Sequence, residues 1–185
     1  RKTFLGRLRG AFEWMEKKVS QGKIRDYGTA TWNAYRISPD QKGYLALEEL
    51  LVIAREAGGG KHHFKFVQLP FNVAMPEAWV LANQKHGANL MPVLGLAEKL
   101  GVTVIGSASL LQARLAGPLP EYFTKNFPDL KKSALCSLQF ARSVPGITTS
   151  LVGMKSKSHV HENLEIARIP RLTEAQLFGL FQQAE

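Results

Sequence analysis

The feature that most limits what this chain can become is a regular alternation of two hydrophobic periods. Leu5, Leu8, Phe12, Met15 and Val19 recur at spacings of three and four, which gathers them on one face of a helix. Gly22 stops that helix, because glycine accepts the left-handed backbone of a helix C-terminus. Residues 24–30 then read as a strand. Leu47, Leu50, Leu51 and Ala54 mark a second helix, ended by Gly58-Gly59-Gly60, and 64–69 a second strand closed by Pro70. Leu90, Val93, Leu94, Ala97 and Leu100 give a third helix, followed by a strand over 102–107. Ala134, Leu135, Leu138 and Ala141 mark the next helix, and 149–153 a short last strand. Val160, Leu164 and Ala167 form a further helix, and the final one opens on Thr173 and Gln176, a capping box.

The strands start roughly forty residues apart, with a helix in every interval. They must run parallel, since each helix carries the chain back to the same end. Two architectures use this alternation, an open doubly wound sheet and a barrel. A doubly wound dinucleotide fold should show G-x-G-x-x-G after its first strand, and none is present. The Gly58-Gly59-Gly60-Lys61 stretch follows a helix and lacks the Ser or Thr that a phosphate-binding P-loop places after its lysine. The expected fold is therefore α/β, part of a parallel (β/α)8 TIM barrel: about four βα units between a leading and a terminal helix, one domain over residues 1–185. Val67, Val104 and Val152, or their neighbours, are expected to point into the barrel core.

Composition narrows the classes of function. No apolar run approaches the roughly 20 residues needed to cross a bilayer, so no membrane association is expected. Arg7, Arg9 and Glu13 interrupt any early secretory signal. The lone Cys136 cannot form an internal disulfide and reads as a helical core position, so the cytoplasm or an organelle stroma is the expected compartment. A net charge of +9 attracts anions. The basic residues are spread along the chain without interleaved aromatics, which argues against nucleic acid as a partner. His159 and His161 stand two apart on a helix and cannot share an ion, and His62-His63 has no ligand-type neighbour, so no metal is expected.

In a barrel the loops leaving the C-terminal ends of the strands build the site, and the last two often hold phosphate. Here they carry Gly106-Ser107-Ala108-Ser109-Leu110-Leu111-Gln112 and Gly153-Met154-Lys155-Ser156-Lys157-Ser158-His159. The second runs into a helix N-terminus. Two readings stand side by side: an anion site of free N–H groups, Ser156, Ser158, Lys155 and Lys157, or a plain serine N-cap with solvated lysines.

Four passages resemble the aldo-keto reductase family, in order and over nearly the whole chain. Gly22-Lys23-Ile24-Arg25-Asp26-Tyr27-Gly28 is similar to its "GKIR-x-x-G" helix-to-strand passage, and Gln68 followed by Asn72 to its next strand end. Ala97-Glu98-x-x-Gly101-Val102-x-Val104-Ile105-Gly106 is similar to "A-E-x-x-G-V-x-V-I-A". Pro145-Gly146-Ile147-Thr148 and Gly153 through His159-Val160-x-Glu162-Asn163-Leu164 resemble its closing "PG-V-T … G … HV-x-E-N-L".

The resemblance implies that strands five to eight are present and that the upstream half-barrel is absent from this chain. The family's catalytic Tyr, Asp, Lys and His lie upstream, and Tyr27, Tyr35, Tyr44 and Tyr122 are outside its catalytic context, so no catalytic residue is assigned. It implies an oxidoreductase whose complete form reduces a small aldehyde or ketone by hydride transfer from NADPH, with NADP(H) favoured over NAD(H). The 185-residue chain alone is expected to be inactive. The alternative is a non-catalytic nicotinamide-nucleotide-binding or regulatory subunit of the same fold. The implied cofactor-binding residues are Thr31, Gln68, Ser107, Leu110, Gln112, Gly153, Lys155, Ser156, His159, Glu162 and Asn163. The sequence departs from the family at Ala30-Thr31 (usually Ser-Asn), Ser107 (commonly aromatic), Ser109 (usually Pro) and His159 (often Arg). Lys155 or Lys157 would supply the charge that an arginine gives. Expected partners are the nucleotide, the carbonyl substrate, and either the missing N-terminal half-barrel or a second copy. The long loops 76–89 and 116–129 carry Trp79, Tyr122, Phe123 and Phe127, and Trp32 lies on an earlier one. These aromatics either ring the barrel mouth or pack the loops down.

Overall fold

A computed structural model describes residues 1–181. Its elements run α1 (Lys2–Ser20), β1 (Tyr27–Ala30), α2 (Leu47–Gly58), β2 (Phe64–Pro70), α3 (Glu77–Val80), β3 (Gln84–His86), β4 (Asn89–Met91) and α4 (Val93–Lys99). They continue β5 (Thr103–Ser107), α5 (Glu121–Thr124), α6 (Ser133–Ser143), β6 (Ile147–Ser150), α7 (Lys157–Glu165) and α8 (Glu174–Gly179). β1, β2, β5 and β6 pair in that order, all parallel, while β3 and β4 form a separate antiparallel hairpin.

Spatial order follows chain order without a reversal, as in successive staves of a barrel. A doubly wound sheet would reverse its strand order and cover both faces. Here only one face is covered. Tyr27, Val67, Leu69, Val104 and Ile147 are buried among helix residues such as Phe12, Leu50, Leu94 and Phe140. Gly28, Ala30, Phe66, Gln68, Ile105 and Thr149 alternate with them and remain partly or fully exposed on the other face. Val67 and Val104 therefore face the helices, not the barrel interior, and Val152 lies beyond the strand in a loop. The interior positions are their neighbours. At Gly28 a Cβ would stand 2.1 Å from the Phe66 carbonyl oxygen, so only glycine lets these strands close up.

The core has two aromatic centres. Near the N-terminal ends of β1 and β2, the Phe12 ring lies 5.2 Å from Tyr27 and 5.1 Å from Phe64. Toward the other end Phe71, Phe123 and Phe181 surround Phe140. Helix α6 is buried on almost every side, so its polar side chains must find partners. Ser137 Oγ donates to the Leu115 carbonyl at 3.0 Å, Gln139 Nε2 to that of Pro170 at 2.6 Å, and Ser143 Oγ accepts from Leu172 N–H at 3.0 Å. These bonds fasten two otherwise irregular segments to the barrel wall.

Several element bounds differ from the sequence reading. β1 begins at Tyr27 because that is where the ladder with β2 begins; residues 24–26 precede it unpaired. The last strand is Ile147–Ser150, not 149–153: Leu151 N–H makes a final bond to Gly106 O, and the apolar Leu151-Val152 pair then runs past the end of β5. The third sequence helix starts only at Val93, after Pro92. Leu90 belongs to the β3–β4 hairpin, which turns through Gly87 at φ +58. The Thr173–Gln176 capping box forms as read.

Candidate functional site

The C-terminal ends of β2, β5 and β6 bring part of the expected site together. Gln68 and Ser107 lie half-buried on the open face of adjacent strands, where Gln68 pairs with Ile105 and Pro70 with Ser107. Beyond Ser107 the backbone enters a strained turn. Ala108, Leu111, Gln112 and Ala113 all have positive φ, at 53, 44, 53 and 69 degrees. Each non-glycine residue there costs of order 1 kcal/mol and persists only where its surroundings hold it. Asn72, fully buried, does part of that holding: its Nδ2 donates to the Ala108 carbonyl at 2.9 Å. Leu111 N–H returns to Ala108 O, and Leu115 N–H to Leu110 O.

This turn and the segment after β6 enclose a cavity of about 510 Å³, lined by Ser109, Leu110, Gln112, Leu151 and Gly153 among others. Three of the sequence-derived residues, Leu110, Gln112 and Gly153, thus share one wall. Ser109 joins them; it is 1% exposed and its hydroxyl has no hydrogen-bond partner among the described residues. A buried polar group left so costs about 1–3 kcal/mol.

Helix α7 divides the remaining residues. Ser156 is its N-cap, accepting from His159 N–H at 3.2 Å and sharing a 2.8 Å hydrogen bond with Ser158. The capping reading therefore holds for Ser156. Lys155, Lys157 and His159 are exposed around the same terminus, where the helix dipole adds to their charge. Glu162 and Asn163 follow one another and so point about 100° apart around the axis. Glu162 accepts from Lys132 and faces a groove with Ser158 and His161. Asn163 lines a different one, of about 310 Å³, with Arg142, Ser150 and Leu164. The two do not share a groove. Thr31 stands apart as well: it lines a cavity with Phe4, Tyr44 and Leu45, and its buried Oγ1 has no partner among the described residues.

The loop aromatics take two courses. Phe123 and Phe127 are core residues, and Trp79 stacks on Phe178 at 5.0 Å, so these three pack loops onto the barrel. Trp32 and Tyr122 remain exposed. Of the tyrosines, Tyr27 donates to Glu16, Tyr35 shares a hydrogen bond with Thr29, and Tyr44 donates to the Asn83 carbonyl. Burial first, and for Tyr27 then its bond to Glu16, pushes the phenols of Tyr27 and Tyr35 well above their usual range. Burial also raises Tyr44. None of the three is a ready proton donor. Among the described residues no group of three His, Cys, Asp or Glu is placed to hold a metal ion, and no helix is long and apolar enough to cross a membrane.

Sequence reasoning missed the bond from Asn72 to the strained turn, the orphan hydroxyl of Ser109, and a buried guanidinium at Arg36. Positive φ at two alanines, a leucine and a glutamine leaves no trace in residue type. Asn72 and Arg36 were visible as polar residues in apolar surroundings.

No family model and no curated protein matches the chain. Solved structures do. An aldo-keto reductase from Klebsiella pneumoniae in complex with NADP and acetate has a TM-score of 0.65 at 21% identity, over 94% of this chain and 53% of that one. A Klebsiella pneumoniae aldo-keto reductase in complex with NADPH gives 0.66 at 19% identity, over 94% and 52%. The holo form of an aldo-keto reductase from Bacillus halodurans gives 0.61 at 17% identity, over 91% and 53%. The chain spans about half the length of the solved structures it matches, and its fold is that of half an aldo-keto reductase barrel.

Proposed function

We propose that this half-barrel is the nicotinamide-nucleotide-binding part of an aldo-keto reductase, whose complete form reduces an aldehyde or ketone. The observation that carries the reading is the cavity between the turn after β5 and the segment after β6. There Ser109 has no partner among the described residues, Gly153 leaves the backbone open, and a cationic helix N-terminus stands close in sequence. A dinucleotide is long, anionic and rich in hydrogen-bonding atoms, which suits such a cleft. Neighbours solved with NADP and NADPH support the choice of ligand.

When bound, the nucleotide supplies the hydride. This chain's residues would orient it: Gln68 and Ser107 at the carboxamide end, Leu110, Gln112 and Gly153 along the pyrophosphate, and Ser156, His159 and Asn163 at the adenosine end, with Glu162 turned to the neighbouring groove. Lys155 and Lys157 would favour NADP(H) over NAD(H) as point charges on the 2′-phosphate. The protonating residue belongs to the other half. Four further parallel strands, from that half or from a second copy, would close the barrel along the free edges of β1 and β6. The tied-up tyrosines favour a second reading for the chain alone, a binder of nucleotide without turnover.

The test is calorimetric titration of the 185-residue chain with NADPH and NADH. Asn163→Ala is expected to weaken NADPH at least several-fold, the loss of one or two hydrogen bonds at about 1 kcal/mol each. Lys155→Glu or Lys157→Glu should weaken NADPH more than NADH. Wild-type chain that binds neither nucleotide would end this reading.

A further inference from the structure

Trp32 is 53% exposed, and the backbone that carries it is hydrogen-bonded at Thr31 N–H and at its own carbonyl. Thr31 N–H donates to the Gln68 carbonyl at 3.0 Å, extending the β1–β2 ladder one step past Ala30. Burial alternates through this stretch. Gly28 and Ala30 are exposed on the open face, whereas Thr29 and the Thr31 hydroxyl turn to the covered one. Trp32 resumes the exposed side, just beyond Ala30, whose register partner is Gln68. On the other side of Gln68 its partner is Ile105, and Ser107 follows two residues on.

What fixes Trp32 is Arg36. This arginine is 6% exposed although it lies on a loop. Its Nε and Nη2 both donate to the Trp32 carbonyl, at 3.2 and 3.0 Å, and its Nη1 donates to Glu77 Oε2 at 2.6 Å. One guanidinium thus joins the loop after β1 to α3 in the loop after β2. Asn83 adds to the same junction, donating to the carbonyls of Tyr35 and Ile37 at 2.9 and 2.7 Å. Burying a guanidinium is costly unless it is paired, and Glu77 pairs it here. The outcome of this arrangement is a fixed backbone beneath a solvent-facing indole, and tryptophan is among the residue types that carry most binding energy once a partner covers them.

We propose that Trp32 contacts the nicotinamide ring of the bound nucleotide by stacking and that Arg36 is the positioning residue that holds it there. The inference rests on the nucleotide-binding reading above. An electron-rich indole face suits an electron-poor ring, most of all the oxidised, cationic nicotinamide.

The 185-residue chain is titrated with NADP⁺, following heat of binding together with indole-to-nicotinamide charge-transfer absorbance and tryptophan quenching. Wild type should show both signals. Trp32→Leu should lose the absorbance and bind about tenfold more weakly, the equivalent of about 1.4 kcal/mol. Trp32→Phe should recover most of the affinity, and Trp14→Phe should change neither affinity nor absorbance. Arg36→Met should weaken the charge-transfer signal at saturating nucleotide while far-UV circular dichroism stays native. Should Arg36→Met fail to fold, Glu77→Gln loosens the same clamp more gently and should weaken the signal likewise. Heat of binding with no charge-transfer signal, or an unchanged affinity in Trp32→Leu, would overturn the role of Trp32 and leave the nucleotide site standing. No heat at all would overturn both.

Discussion

Glu16 is the best place to probe what holds the leading helix to the barrel. Its carboxylate sits where α1 crosses the N-terminal ends of β1 and β2, close to Gly58, where any side chain would collide with it. Oε1 accepts from His63 N–H at 2.8 Å and from the Tyr27 hydroxyl at 2.9 Å, while Oε2 meets His63 Nδ1 at 2.8 Å. Burial by itself raises this carboxyl's pKa, but the bonds to His63 and Tyr27 together outweigh it and hold the pKa below the usual glutamate value. Hydrogen bonds to a charged group contribute about 1.5–3 kcal/mol each and neutral ones about 1. Glu16→Gln, which keeps an acceptor oxygen but no charge, should therefore cost about 1–2 kcal/mol. Glu16→Ala, which strands the His63 N–H, should cost about 3 kcal/mol or more. A carboxylate with a depressed folded-state pKa stabilises fully above the unfolded value, near 4.3, and loses that contribution as pH falls through the folded value. Urea unfolding followed by circular dichroism, at neutral pH and again near pH ~3, measures both effects. Wild type and Glu16→Gln should differ at neutral pH and converge in acid. A gap that persists unchanged in acid, or no gap at neutral pH, would mean that the carboxylate's charge does not fasten α1.

Two further outcomes follow from the same structure. NADPH oxidation with a panel of aldehydes should stay at background for the 185-residue chain, since its buried tyrosines are bonded elsewhere; turnover abolished by changing Tyr122 would show that this half carries its own acid. The free edges of β1 and β6, with no proline in either strand, should make the chain self-associate, and Thr149→Lys on the exposed side of β6 should shift it toward monomer. Light scattering behind size-exclusion chromatography reads this directly, and a clean wild-type monomer with a sharp melt would refute it.

The alternation of periods was enough to give the parallel sheet and most of the covering helices, because α1, α2, α4 and α6 carry apolar faces and the central strands β2 and β5 apolar runs. Strand ends were less legible. Leu151 and Val152 carry strand-like chemistry, yet the β5–β6 ladder ends where Gly106 bonds Leu151, and the one β5 residue beyond it, Ser107, pairs with Pro70 of β2. Leu90 fits the helical period, but Pro92 and the Gly87 turn put it in a hairpin, where it is 58% exposed. In the candidate site, the loops after β5 and β6 were identifiable because strand ends and glycine mark loops, whereas Gln68, Leu110 and Gln112 were singled out only by the family resemblance. The separation of Glu162 from Asn163 was not, since it depends on how α7 is rotated against α6. Asn72 bonds a backbone carbonyl of another loop and Arg36 a carboxylate of another, contacts that no local pattern encodes.

Because spatial order follows chain order, every strand of the sheet touches only its neighbours in sequence. Such an array behaves as a line of units coupled one to the next, with the firmest order in the middle. β2 and β5 have a partner on each side; β1 and β6 have one apiece. The segment running from β6 into α7 therefore hangs from the fraying end of the line, and none of the α7 side chains is fully buried. Closing the barrel would turn the line into a ring, in which β6 gains a second neighbour. The grip of that segment on a ligand would then depend on a surface that neither it nor the ligand touches.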